Sequence, residues 1–240
     1  MNLIENISAF QNIVYIASSI LFITGIKMLG KEDTAVKGNF LSALAMFIAV
    51  SITLVNIVNP LLIIIGISIG AIVGSLIALR VKMTSIPEMV ALFNGFGGLA
   101  TFFIAWSEFN SIPENTFQYI LIMITIFIGG VTFSGSIIAY GKLSEKLTIK
   151  KTSIITKLFT TIFYISIIYL VYSISLTNIF VPTFDFFTIL LILTLLGGIG
   201  FVLPIGGGDM PVVISLLNSF SGIAAAFAGL LLLNNVLIVA

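Results

Sequence analysis

The side chains able to hold or steer a proton are few in this sequence, and they fall at regular places. Two asparagines, Asn94 and Asn218, lie inside apolar runs, each seven residues after a proline, Pro87 or Pro211. Two carboxylates, Glu88 and Asp209, stand close to those prolines. A carboxamide donates and accepts hydrogen bonds but exchanges no proton near neutral pH. The chain has no histidine and no cysteine. That excludes a Ser-His-Asp triad, a Cys nucleophile, thiolate metal sites and disulfides. No spacing of carboxylates suits a metal or a glycosidase site, so the chain offers no catalytic residue in the strict sense.

The asparagines belong to a repeat. Segments 87–100 and 211–224 share proline, leucine, asparagine, phenylalanine, glycine and alanine at matching places. Proline suits a first helical turn, where its missing N–H would be unpaired anyway. Seven residues of helix rise about 10 Å, so both amides lie well inside an apolar layer at similar depth. A buried amide needs partners. It can tie helices together, for about 0.6 to 2 kcal/mol, or line a shared polar or hydrated path, and repetition at equal depth leaves both readings open. Glu88 and Asp209 sit at the mouths of the two helices, where a carboxylate complements the helix dipole for roughly 0.3 to 1 kcal/mol. Gly206, Gly207 and Gly208 precede Asp209 and permit unusual backbone geometry and close approach of another surface. The run Gly95-Phe96-Gly97-Gly98-Leu99-Ala100 fits a dinucleotide fingerprint, but it lies in an apolar helix without the preceding strand that chemistry needs.

These residues must be positioned by membrane helices. Of 240 residues, 59% are hydrophobic and 8% charged, with a net charge of +1. Soluble domains carry about 25% charged residues, so a soluble globular protein, a disordered chain and a nucleic-acid binder are excluded. Eight runs are long enough to span: Ile7–Leu29, Asn39–Val58, Leu61–Leu79, Met89–Trp106, Phe117–Tyr140, Ile154–Ile174, Phe184–Leu203 and Val212–Leu233. They are continuous rather than alternating, which predicts an all-α polytopic bundle and not a barrel. The start lacks the basic residues and small-residue cleavage site of a signal peptide, so the first run reads as a span. Val236–Ala240 reads as a ninth span, cut short, or as a short interfacial tail, and residues 1–240 as one transmembrane domain. Stripes of small residues, Gly66, Gly70, Gly74 and Ala78 on span three and Ser221, Ala225 and Gly229 on span eight, predict close helix packing.

All ten Lys and Arg lie at or near three loops: Lys27, Lys31 and Lys37; Arg80 and Lys82; and Lys142, Lys146, Lys150, Lys151 and Lys157. Basic loops stay in the cytoplasm. The amino terminus is therefore expected outside, and both repeated helices enter from the cytoplasmic face.

Three stretches carry a resemblance: Lys82–Ala91, Gly130–Leu143, and above all Gly206-Gly207-Gly208-Asp209-Met210-Pro211-Val212-Val213 followed by Leu217-Asn218-Ser219-Phe220-Ser221-Gly222. The chain resembles, along essentially its whole length, the beta subunit of proton-translocating NAD(P) transhydrogenase. The resemblance implies hydride transfer between NADH and NADP⁺ in soluble domains, coupled to proton movement through the membrane domain. It implies nine spans followed by an NADP-binding domain, so the nicotinamide cofactors are bound outside this chain. It also implies an alpha-subunit partner carrying the NAD site, a dimer of the alpha-beta unit, and a bacterial inner membrane. By motif, Asn218 and Asp209 match positions on the proton path and near the domain interface, and Asn94 stands where some members carry histidine. Asn94 is then expected to position water while an alpha-subunit helix supplies the titrating group, or Glu88 or Asp209 acts at the cytoplasmic mouth. Glycine-broken spans with a midplane polar pair would equally suit a secondary transporter or channel for a small solute, and a purely structural assembly subunit is a third reading.

Overall fold

Hydrocarbon offers no partner to a backbone N–H or C=O, so a spanning segment must bond within itself. The computed structural model describes residues 3–55, 57, 60–111, 113, 115–147, 153–176 and 184–239. Its helices are α1 (Leu3–Leu29), α2 (Glu32–Leu54), α3 (Leu61–Arg80), α4 (Ile86–Asn110), α5 (Thr116–Leu143), α6 (Ile154–Leu176), α7 (Phe184–Val202), α8 (Met210–Leu231) and α9 (Asn235–Val239). Short 3-10 turns at Met83–Ser85 and Gly207–Asp209 lead into α4 and α8. Among the described residues there is no strand. Among the described residues eight helices are long and apolar enough to cross a membrane, and the chain is an all-α integral membrane protein.

The clearest difference from expectation is α2, which starts at Glu32 rather than Asn39. Glu32 and Asp33 occupy its first turn and complement the helix dipole. Thr34 Oγ1 donates to Met28 O at 2.7 Å and ties that turn to α1. The helix ends at Leu54; Val58, the expected end, lies outside the described residues, as do Lys150 and Lys151.

The chain divides into two units. The first comprises Met1–Arg80 and Asn234–Ala240. In it α1 and α2 approach closely: a Cβ added to Gly38 would lie 2.7 Å from Gly25 O. Tyr15 and Thr53 share a hydroxyl hydrogen bond of 2.8 Å, and Gln11 Nε2 donates to Ile52 O at 3.1 Å. Asn234 Oδ1 accepts from the N–H groups of Val236 and Leu237 and so starts α9. Val236 then packs with Phe22, Ala45 and Ala49. α3 behaves otherwise than expected. None of its residues is buried, and nothing lies within 4 Å of a Cβ added to Gly66, Gly70 or Gly74. Within this unit its stripe of small residues packs against nothing described.

The second unit, Val81–Leu233, is built around α5. Two thirds of α5's most apolar stretch, 67%, is buried, the largest share of any helix. Lipid is as apolar as leucine, so helices are held by close packing rather than by a hydrophobic force. Glycine makes that packing possible. A Cβ on Gly98 would stand 2.9 Å from Gly129 O, and one on Gly129 would stand 2.9 Å from Gly98 O, so α4 and α5 touch backbone to backbone. Gly200 of α7 is tighter still, with its added Cβ at 1.9 Å from Phe159 O of α6. Beyond these crossings Phe102, Tyr119, Ile122, Ile126, Phe187 and Leu190 form one core cluster, and Phe109 stacks on Phe187 at 3.8 Å.

Gly200→Ala should therefore force α6 and α7 apart and cost about 1 to 3 kcal/mol. Gly66→Ala meets nothing and should stay within about 0.5 kcal/mol of the parent. Thermal unfolding of the detergent-solubilised protein compares the two.

Candidate functional site

The repeat is visible in three dimensions and extends further than its shared residues. The spacing from Pro87 to Pro211 also separates the 3-10 turn at Met83–Ser85 from that at Gly207–Asp209, and each copy carries its proline in the first helical turn. Local structure follows the repeat. Packing does not.

Asn94 is half-buried on the inner side of α4. Its Nδ2 donates to Ser136 Oγ on α5 at 3.0 Å, and its Oδ1 accepts from Ser221 Oγ on α8 at 2.8 Å. One amide thus joins three helices. The approach depends on neighbouring glycine: a Cβ on Gly95 would lie 3.2 Å from Ser136 Cβ. Of the two glycines of the apparent dinucleotide fingerprint, Gly95 is a packing residue inside α4, while Gly97 is exposed with nothing within 4 Å of an added Cβ; the packed Gly98 lies beside them. Thr132, one turn from Ser136 on α5, is fully buried, and among the described residues its Oγ1 has no hydrogen-bond partner.

Asn218 is not part of this cluster. Its side chain is exposed and, among the described residues, makes no hydrogen bond. The reason lies in helix rotation. α4 buries Ala91, Gly95 and Gly98, whose counterparts in the repeat, Ser215, Ser219 and Gly222, are exposed. α8 instead buries Val213, Leu217, Ala224 and Ala228. The reciprocal bond is also chemically barred, because the counterpart of Ser221 is Gly97, which has no hydroxyl. Asn218 stands beside an open groove on α8 lined by Pro211, Val212, Ser215, Leu216 and Ser219.

Glu88 is half-buried in the first turn of α4, and Asp209 is exposed at the start of α8 without a side-chain cap bond. Both positions complement a helix dipole. The glycines before Asp209 do not use unusual backbone angles, since no described glycine has positive φ. What they supply is bare backbone: Gly206, Gly207 and Gly208 are exposed, and nothing lies within 4 Å of a Cβ added to Gly207 or Gly208.

Sequence reasoning missed Ser136 and Ser221 as partners of Asn94. Ser221 had a signal, since it replaces glycine at one place in the repeat. Ser136 had none beyond lying in an apolar run. Asn94→Leu strips both hydroxyls of their partner and should cost about 1 to 3 kcal/mol, while Asn218→Leu should change stability by no more than about 0.5 kcal/mol. A double-mutant cycle of Asn94→Leu with Ser136→Ala, read by thermal unfolding, isolates the bond.

Comparison with known proteins follows the same run of residues. The family profile described as NAD(P) transhydrogenase beta subunit matches residues 11–240. Two sequences from Rhodospirillum rubrum, both named NAD(P) transhydrogenase subunit beta, are 33% identical over 240 residues, covering 94% of this chain and 50% of theirs. The chain therefore spans half the length of these relatives. A family match over residues 11–240, together with 33% identity over 94% of the chain, places the chain in the NAD(P) transhydrogenase beta subunit family.

Proposed function

We propose that this chain is the proton-conducting membrane part of a transhydrogenase beta subunit, working beside an alpha-type subunit. Hydride transfer between NADH and NADP⁺ takes place in soluble domains outside the described residues and is coupled to proton movement through the second unit. The observation that carries this reading is the Asn94 cluster, a polar centre spanning three helices in a chain of that family. An amide at this depth cannot titrate. It orients the water that carries the proton, and the buried hydroxyl of Thr132 is a further group such water can satisfy. The titrating group comes from the partner subunit or from Glu88 or Asp209.

The exposed face of α8 supports the partner. Asn218, Ser215 and Ser219 would be costly against lipid. A helix laid in the groove beside them would satisfy these groups and bring Asn218 onto the path. The basic loops support an amino terminus outside the cell and a Gly206–Asp209 loop in the cytoplasm, where Asp209 would meet the NADP-binding domain. A dimer of alpha-beta units in a bacterial inner membrane completes the proposal.

The test is proton pumping by the whole complex in vesicles. Asn94→Leu and Asn218→Leu should each lower pumping by roughly tenfold or more, with assembly retained. Normal pumping by both variants would leave the amides a packing role alone. Solute uptake without nicotinamide nucleotides would instead favour a transporter.

A further inference from the structure

Lys142 lies in the last turn of α5, and its ammonium is partly buried. Nζ donates to the backbone oxygens of Val202, at 3.2 Å, Leu203 and Ile205. α7 ends at Val202, whose carbonyl also accepts from the Ile205 N–H, and the Leu203 and Ile205 carbonyls lie just past the helix end. A cation there is favoured by the dipole. An ammonium has three donors and no acceptor, and three carbonyls match that capacity. Among the described residues no carboxylate pairs with it.

This is more than a local helix cap, because the lysine comes from another helix and reaches beyond α7 into the loop. Ile205 immediately precedes Gly206. On the far side of the loop Met210 is fully buried, packed with Ala91, Ala139, Val202 and Val213. The glycine turn is thus pinned at both ends while its middle is bare. The anchor is itself held in place. Glu145, with φ of 56°, turns the chain out of α5, and Leu147 N–H donates to Gly141 O at 2.9 Å.

We propose that Lys142 is a positioning residue that presets the Gly206–Asp209 loop for the nucleotide-binding domain and thereby sets how tightly proton movement is coupled to hydride transfer. This rests on the transhydrogenase reading above. A free loop of three glycines loses more conformational entropy on docking than any other sequence would. Holding its approach in one conformation beforehand removes much of that cost. Lys142 touches no reacting group and acts through the loop.

The experiment uses the whole alpha-beta complex in vesicles. The chain has no cysteine, so Gly207→Cys gives a single spin-labelling site in it. Two readouts are taken in Lys142→Met, and in Lys142→Gln, which keeps an amide donor in case the methionine variant fails to assemble. The first is the mobility of the label. The second is the ratio of hydride-transfer rate with and without a protonophore. In both variants label motion should quicken, and the uncoupler ratio should fall by roughly threefold or more, with the glutamine variant less affected. Unchanged label motion overturns the proposal, and so does a loosened loop with an unchanged ratio. If the parent complex moves no hydride, the transhydrogenase reading fails, and the label still decides whether Lys142 orders the loop.

Discussion

Hydrocarbon withholds two things that water gives a folding chain: hydrogen-bond partners for polar groups and a force that drives apolar surfaces together. Everything in the second unit answers that double lack. With no hydrophobic drive between helices, cohesion comes from backbones brought close enough for dispersion, and only residues without a Cβ allow it. Gly98 against Gly129 does this for α4 and α5, and Gly200 against Phe159 does it for α7 and α6. The polar centre depends on the same crossings. Asn94 reaches Ser136 because Gly95 lets α4 lie against the part of α5 that carries that serine. Packing and site are one arrangement, so a change that separates these helices also dismantles the amide's bonds.

Spans and the repeat were legible in the sequence, because apolar length and matching residues are one-dimensional signals. The start of α2 was not, since Glu32 and Asp33 look like loop residues until the helix dipole is counted. The stripe on α3 licensed an approach but carried no information on whether any helix makes it. The two asparagines show the limit most sharply. Distance from proline fixed their depth, but rotation about the helix axis is set by what each helix packs against. On α8 the polar Ser215, Asn218 and Ser219 share one side and that side is exposed, so the depth that marked Asn218 as buried said nothing of the direction it faces. Lys142 was read only as a loop charge, because its carbonyl partners lie 60 or more residues away in the chain.

The bonding of Asn94 also bears on how a proton could pass. Ser221 donates to the amide oxygen and the amide nitrogen donates to Ser136, so the three groups form a line with one polarity. Such a line of hydroxyls could hand a proton along, but an amide in its middle cannot, because it neither gains nor releases one near neutral pH. The direct route is therefore interrupted at Asn94. The amide still has one N–H and one lone pair beyond those it spends on the serines. These can hold water beside the line without loosening the helices. On the proposed function a carrier bound there would pass around the amide rather than through it, while the same side chain joins three helices and orients that water. On the proposed reading, then, the packing role and the conducting role of Asn94 are complementary uses of different atoms.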